Sequence, residues 1–123
     1  MTPLFCMAAA IYFEARSEPL DAQVAVAGVV LERVAHDKYP DDVCGVVFQH
    51  KQFSAFNAGL PAIRNYAAWA VSENVAQMVL DDPQSIMPIV GATHYHTEDV
   101  MPYWAGQFEY LGQSGSHLFY RGF

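Results

Sequence analysis

Glu14 is the residue of this sequence that is best placed to do acid–base chemistry. It lies seven positions after Met7 and three after Ile11, so on a helix it shares their apolar face. A carboxyl group on an apolar face at a helix end is partly desolvated, which raises its pKa toward the range of a general acid. A structural role is the alternative, in which Glu14 pairs with Arg16 or caps the next helix.

Two further polar residues follow Glu14 closely. Glu18 stands at the predicted start of the second helix, where the helix dipole and the free N–H groups favour a carboxylate. Capping is therefore its first interpretation and substrate binding its second. Gln23 shares a face with Leu20 and Ala27, so its amide points inward, where it needs partners. We predict that Gln23 braces the Glu14 region or contacts a substrate.

The histidines raise the alternative of a metal site. On a strand, His94 and His96 would share one face, and His117 could supply a third ligand. Two histidines two positions apart are a weak signal, and no glutamate–histidine helix accompanies them, so we predict no metal. A Ser–His–Asp arrangement is favoured even less, because none of the loop serines lies in a nucleophile-elbow sequence.

The elements that position these residues are helices first and a small β region last. The predicted helices cover residues 3–15, 19–36 and 62–80, and the last of them starts at either 62 or 65. Residues 43–48 form either a strand or a helical turn. The β-prone stretches 92–97 and 117–121 predict a hairpin or two-stranded sheet with a long, aromatic-lined connection. The sequence therefore predicts an α+β fold in a single domain over residues 1–123.

The composition fits a folded domain and argues against some partners. The chain is 53% apolar and 14% aromatic, which is too apolar for disorder. Thirteen acidic against six basic residues give a net charge of −7, which argues against nucleic acid or anionic lipid as a partner. The apolar residues 3–13 are too few for a membrane span and lack the basic residues of a secretory signal. We therefore predict a buried helix there and no export signal.

The two cysteines, Cys6 and Cys44, lie 38 positions apart (44 − 6) and outside any CxxC motif. They are either two buried thiols or a disulfide. A disulfide closing a loop of this length stabilises a protein by about 3–4 kcal/mol on the loop-entropy estimate.

Several stretches resemble the spore-cortex-lytic (SleB/CwlJ-like) family of cell-wall hydrolases. The most specific stretch is AIYFEARSEPLDAQVAVA, at residues 10–27. Four weaker blocks follow in family order, at residues 43–49, 52–54, 91–96 and 115–120. Together these blocks span nearly the whole chain.

The resemblance implies a lysozyme-like α+β fold and cleavage of peptidoglycan between N-acetylmuramic acid and N-acetylglucosamine. It implies that Glu14 is the catalytic glutamate, and it adds weight to a disulfide between Cys6 and Cys44. We also predict that polar and aromatic residues of these blocks bind the substrate. They are Glu18, Gln23, Gln52, Phe53, Ser54, Thr93, His94, Tyr95, His117 and Tyr120.

Members of the cortex-lytic branch act as lytic transglycosylases, which leave a 1,6-anhydro sugar and need one carboxyl group instead of a pair. A hydrolytic muramidase needs a second carboxylate. Asp21, Glu98, Asp99 and Glu109 are available, but no spacing singles one out. The remaining alternatives are a metal-dependent amidase or peptidase that uses the three histidines, and a non-catalytic wall-binding module.

The expected partner is thus the peptidoglycan glycan strand, with no cofactor, no nucleic acid, no stable membrane insertion and a monomeric state. A compact hydrolase without a signal resembles a phage endolysin, which waits in the host cytoplasm and reaches the periplasm and cell wall on lysis. A truncated bacterial enzyme would have the same sequence features.

Overall fold

The structure, a computed structural model, describes residues 1–49 and 61–122. The described residues form five α-helices and three strands. They are α1 (Pro3–Ala15), α2 (Leu20–Val34), α3 (Val43–Val47), α4 (Tyr66–Asp81), α5 (Pro83–Ile86), β1 (His94–Thr97), β2 (Glu109–Ser114) and β3 (His117–Arg121). A short 3-10 helix, Tyr103–Gly106, lies between β1 and β2. In this part of the chain, no helix has the length and apolar character that a membrane span requires.

Helix α1 is the centre of the helical layer. Thr2 caps its N-terminus by accepting a hydrogen bond from the Phe5 N–H, and Pro3 occupies the first helical position, where a missing N–H costs nothing. Every residue from Cys6 to Tyr12 is buried, because α2, α3 and α4 all pack against this helix. A helix that is surrounded in this way is apolar on all sides.

The strands form an antiparallel sheet in the order β1-β3-β2. The pleat turns Tyr95 and Phe119 toward the helices, where Phe119 packs in a buried cluster with Val26 of α2. Residues that alternate with these, such as His94 and Tyr120, point to the opposite face, which we call the outer face. The predicted α+β architecture, with helices first and a small antiparallel sheet last, is confirmed.

The connection between β1 and β2 covers the outer face of the sheet with aromatic rings. Trp104 lies 5.1 Å from His94, 5.7 Å from His96 and 5.3 Å from Tyr120, measured between ring centroids. Phe108 stacks on Trp104 at 5.6 Å. The aromatic residues of this segment therefore build a second, smaller packing layer on the side away from the helices.

The prediction of a two-stranded sheet is wrong, because β2 is a third strand. Its residues are mostly exposed or half-buried, so it lacks the apolar alternation that marks a strand in a sequence. Gly112 has a φ of 146°, and the pairing with β3 shifts register between Tyr110 and Gly112. An irregular edge strand of this kind gives only a weak sequence signal.

The helix predictions are close to the observed bounds, and the open alternative at residues 43–48 resolves to helix α3. Asp42 caps α3 by accepting from the Gly45 N–H at 2.5 Å, which favours a helical turn over a strand. Asn65 caps α4 in the same way, so this helix begins at the later of its two predicted starts. The short helix α5 was not predicted.

Cys6 and Cys44 form a disulfide that joins the first turns of α1 to α3. It anchors the end of α1 that lies farthest from Glu14. We expect reduction, or the replacement Cys44→Ser, to lower the free energy of unfolding by about 3–4 kcal/mol, because the crosslink closes a loop over a separation of 38 residues. Denaturant unfolding with and without a reductant measures this loss.

In that experiment Cys44→Ser is the control, because it has no disulfide and reductant should therefore leave its unfolding midpoint unchanged. An unfolding midpoint of the native chain that stays in place on reduction would show that the disulfide adds no stability.

Candidate active site

Glu14 lies in the last turn of α1, where the helix emerges from the core. Its side chain is half-buried, and within residues 1–49 and 61–122 its carboxyl group has no hydrogen-bond or ion-pair partner. Arg16 does not pair with it. The Arg16 guanidinium lies 4.6 Å from the ring centroid of Tyr12 and donates to the Tyr12 carbonyl oxygen at 3.1 Å. The alternative of a Glu14–Arg16 ion pair is therefore wrong.

Burial raises the pKa of the Glu14 carboxyl above its ordinary value, and no charge among the described residues contributes to this shift. A raised pKa keeps the carboxyl group protonated closer to neutral pH, as a general acid requires. This is the environment that the apolar face of α1 predicts for Glu14.

Tyr95 and His117 bring the sheet to Glu14. Burial, reinforced by the negative charge of Glu14, raises the pKa of Tyr95 well above its ordinary value, so its hydroxyl keeps its proton. The rings of Tyr95 and His117 lie 5.2 Å apart. Burial lowers the pKa of His117, although the Glu18 carboxylate and the backbone of Glu14 partly offset this effect. The site therefore combines one carboxyl group with two neutral rings.

Glu18 is fastened to the turn between β2 and β3. Its carboxylate accepts hydrogen bonds from the Ser116 N–H at 2.8 Å and from the Ser116 hydroxyl at 2.7 Å. These bonds, with the nearby His117, hold the pKa of Glu18 below its ordinary value. The predicted capping of the second helix is wrong, because the N-cap of α2 is Pro19 and makes no side-chain hydrogen bond.

Gln23 braces the turn that follows Glu14. The side chain is 5% exposed, and its Nε2 donates to the Glu18 carbonyl oxygen at 3.0 Å. Its Oε1 is buried and has no hydrogen-bond partner among the described residues. The bracing role predicted for Gln23 is thus observed, and its substrate-binding role stays a prediction.

Thr93, His94 and Tyr120 are held by other parts of the structure. The Thr93 hydroxyl accepts from the Gly122 N–H at 2.7 Å and hydrogen-bonds His94 Nδ1 at 2.9 Å. Burial, with a contribution from Arg33, lowers the pKa of His94 to about 4. His94 and Tyr120 lie on the outer face, whereas Tyr95 and His117 lie on the face toward the helices. The structure therefore does not group His94 and Tyr120 with Glu14. The substrate-binding roles of Thr93, His94 and Tyr120 stay predictions.

The remaining predicted substrate-binding residues, Gln52, Phe53 and Ser54, lie outside the described residues. A groove of about 350 Å³ opens farther along α2, but its lining contains no predicted site residue. That lining includes Gly28, Leu31, Met87 and Ile89.

The three-histidine metal alternative is not supported by the geometry. His94 and His96 share the outer face, and His117 points to the other face. Both ring nitrogens of His96 are already hydrogen-bonded, to the Thr97 carbonyl and to the Tyr120 hydroxyl. Over residues 1–49 and 61–122, no three His, Cys, Asp or Glu side chains are grouped to hold a metal ion.

Two contributors to the site were not identified from the sequence. Ser116 lies in the block at residues 115–120, but no role at the site was predicted for it; its N–H and hydroxyl both donate to the Glu18 carboxylate. Tyr12, two positions before Glu14 on α1, accepts hydrogen bonds at its hydroxyl from the N–H groups of Arg64 and Asn65. The Gly-Ser pair at 115–116, a turn signal before a β-prone stretch, could have pointed to Ser116. No sequence signal marked the role of Tyr12.

The chain matches the cell wall hydrolase family over residues 17–120, a stretch that begins three residues after Glu14. It belongs to this family. The spore cortex-lytic enzyme of Halalkalibacterium halodurans is 35% identical over 114 residues, which cover 92% of this chain and 33% of the relative. The chain therefore spans about a third of the length of that relative.

Solved structures of family members share the fold. The catalytic domain of the germination-specific lytic transglycosylase SleB from Bacillus anthracis is 27% identical with a TM-score of 0.81, covering 97% of this chain and 93% of that domain. The catalytic domain of the Bacillus cereus SleB protein is 30% identical with a TM-score of 0.75, covering 97% and 89%. The predicted family and lysozyme-like fold are thus confirmed.

The raised pKa of Glu14 predicts a stability cost at neutral pH. The folded chain keeps this proton to a higher pH than the unfolded chain, so stability falls as pH rises from the ordinary value of 4.5 through the raised folded value. We expect Glu14→Gln to be more stable than the native chain at pH 7 by on the order of 1 kcal/mol, and nearly equal to it below the ordinary value.

Denaturant unfolding at both pH values tests this expectation. Glu73→Gln, at an exposed position of α4, is the matched control and should show no such pH-dependent gain. If the difference in unfolding free energy between Glu14→Gln and the native chain were the same at both pH values, the result would contradict a desolvated Glu14 carboxyl.

Proposed function

We propose that this chain cleaves the glycan strand of peptidoglycan between N-acetylmuramic acid and N-acetylglucosamine, as a lytic transglycosylase. The observation that carries the proposal is Glu14, a half-buried carboxyl group at the end of α1 whose pKa is raised by burial. The family match and the likeness to a domain described as a lytic transglycosylase support the same reaction.

One carboxyl group is enough for this reaction. Glu14 gives its proton to the glycosidic oxygen as the bond to C1 of the muramic acid breaks and an oxocarbenium-like centre develops. The 6-hydroxyl oxygen of the same sugar then bonds to C1, and the Glu14 carboxylate takes the hydroxyl proton. The products are a 1,6-anhydro-muramic end and a free 4-hydroxyl on the N-acetylglucosamine. Glu14 ends the cycle protonated, and no water is consumed.

The electrostatics of Glu14 argue against a hydrolytic pair of carboxylates. In a retaining glycosidase the two groups lie about 5–5.5 Å apart. Two carboxylates that share a site strongly raise one of the two pKa values by mutual repulsion. Among residues 1–49 and 61–122, no such neighbour contributes to the raised pKa of Glu14. A substrate that supplies its own nucleophile removes the need for a second carboxylate.

The candidate second carboxylates are mostly engaged elsewhere. Glu98 accepts from Gln113, Asp99 accepts from Thr97, and Glu109 pairs with Arg121 at 3.0 Å. Asp21 is exposed in the first turn of α2. These contacts favour the transglycosylase over a hydrolytic muramidase.

Mass spectrometry of the muropeptides released from purified peptidoglycan tests the proposal. We expect the native chain and the control Glu73→Gln to release anhydro-muropeptides, and Glu14→Gln to release fewer by at least about 100-fold, because one acid–base group contributes about 10²–10⁴-fold. Reducing-end products that disappear in Glu14→Gln would instead indicate a hydrolase. Free stem peptides, or full activity of Glu14→Gln, would contradict a glycan-cleaving role for Glu14.

The phage endolysin role, with its passage from host cytoplasm to cell wall, is a second proposal, and the monomeric state stays a prediction. We expect cytoplasmic expression in a Gram-negative host to leave the culture turbid until the inner membrane is permeabilised, after which turbidity should fall. Glu14→Gln should not lyse the culture at any stage. Lysis before permeabilisation would contradict the cytoplasmic waiting step.

A further inference from the structure

Glu18 is held at three points, four residues after Glu14. Its N–H donates to the Ala15 carbonyl at 2.9 Å, and its own carbonyl accepts from Gln23 Nε2 at 3.0 Å. Its carboxylate accepts both hydrogen bonds from Ser116. The first contact is to the last residue of α1, the second is to α2, and the third is to the hairpin turn. Glu18 therefore joins three elements at the helix end that carries Glu14.

The hairpin turn fits closely against Glu18. Gly115 has a φ of +56°, and a Cβ there would collide with Glu18 Oε1 and lie 3.0 Å from Pro19 Cδ and 3.2 Å from Ala22 Cβ. Only glycine permits this approach without strain, because it lacks the Cβ and adopts positive φ readily. The turn is thus shaped to bring the Ser116 donors onto the Glu18 carboxylate.

His117 continues the same connection into the sheet. It is 2% exposed, and its Nδ1 lies 3.7 Å from Glu18 Oε1, which is too long for a hydrogen bond. No other described group bonds this nitrogen. The Tyr95 ring and the backbone of Glu14 are also neighbours of the imidazole. The imidazole therefore fills the space between Glu18 and the helix end.

The Glu14 carboxyl has no hydrogen-bond partner in the described chain, so its position depends on the backbone of the last turn of α1 and on packing. We propose that Glu18, bound by Ser116, is a positioning residue that holds this turn and so aims Glu14, and that Glu18 does not bind the sugar. This inference rests on the proposed function, because it assigns Glu18 a role in that reaction.

The alternative, in which Glu18 is a substrate ligand, requires free acceptor capacity that faces the cleft. Oε1 already accepts the Ser116 N–H, and Oε2 accepts the Ser116 hydroxyl. The Glu18 side chain is 16% exposed. Each oxygen keeps a second lone pair, but the low exposure of the side chain leaves little of this acceptor capacity open to a sugar hydroxyl.

Two variants at different ends of the contact test the proposal. We expect Glu18→Gln to lower kcat by about 10- to 100-fold with KM changed less than about twofold, because a small misplacement of a catalytic group carries a loss of this size. Ser116→Ala should lower kcat by a smaller factor, since the backbone N–H remains. Glu98→Gln is the matched control, because the Glu98 carboxylate accepts from Gln113 on the same hairpin and, among the described residues, makes no hydrogen bond to α1.

The pH dependence of kcat separates positioning from general loss of structure. Activity falls as pH rises through the pKa of the general acid Glu14. We expect the loosened turn in these variants to admit water to Glu14, so that this pKa moves back toward its ordinary value and the high-pH limb of the profile moves to lower pH. Ser116→Ala keeps the Glu18 charge, so a shift in that variant cannot come from a lost charge.

The carbon-13 NMR titration of the Glu14 carboxyl in the native chain and in Ser116→Ala gives the same comparison without any substrate. An unchanged Glu14 titration, or a raised KM with unchanged kcat and pH profile in Glu18→Gln, would overturn the positioning role. If the native chain released no anhydro-muropeptides, the proposed function would fail, but the NMR comparison would still decide whether Glu18 and Ser116 hold Glu14. Circular dichroism confirms beforehand that each variant is folded.

Discussion

The desolvated carboxyl group of Glu14 is the constraint on which the rest of the site depends. Removing a carboxylate from water costs free energy unless hydrogen bonds or a cation compensate, and the described residues supply neither to Glu14. The chain tolerates this cost because the residues that precede Glu14 are buried on all sides. Helix α1 packs against three helices, and the Cys6–Cys44 disulfide binds its first turns to α3. These contacts stabilise the fold and offset the free energy that the desolvated Glu14 costs at the other end of the helix.

A carboxyl group without direct partners has to be placed by its surroundings. A catalytic group works only if it is held within a fraction of an ångström of its productive position. In this chain the polar contacts are made by residues near Glu14 and not by its own carboxyl group. Gln23 and Ser116 hold Glu18, and Tyr12 holds the backbone at Arg64 and Asn65. Direct hydrogen bonds to the charged form of Glu14 would have lowered its pKa, so indirect positioning preserves the acid.

The sequence predicted the features that depend on neighbouring positions. The burial of Glu14 follows from its spacing to Ile11, and the start of α1 follows from its capping residues. Hydrogen bonds between distant positions were not predictable. Ser116 meets Glu18 across 98 residues, and nothing in either local sequence encodes that pairing. Strand β2 was missed for a related reason. It contains Gly112 and mostly exposed residues, so it forms a strand because it pairs with β3 and not because of its local sequence pattern.

The neutrality of the neighbours of Glu14 matters as much as its burial. The chain carries a net charge of −7, yet within the part that the structure describes no other charge contributes to the raised pKa of Glu14. Tyr95 keeps its proton because burial and Glu14 raise its pKa, and burial favours neutral His117. Glu18 is charged, but two hydrogen bonds hold its pKa low, so it ionises before Glu14 does as pH rises. Glu14 therefore gives up and regains its proton among groups that need not change their own state. A reaction that uses one carboxyl group first as acid and then as base needs this kind of surrounding, because a strongly coupled neighbour would divide the titration into two steps.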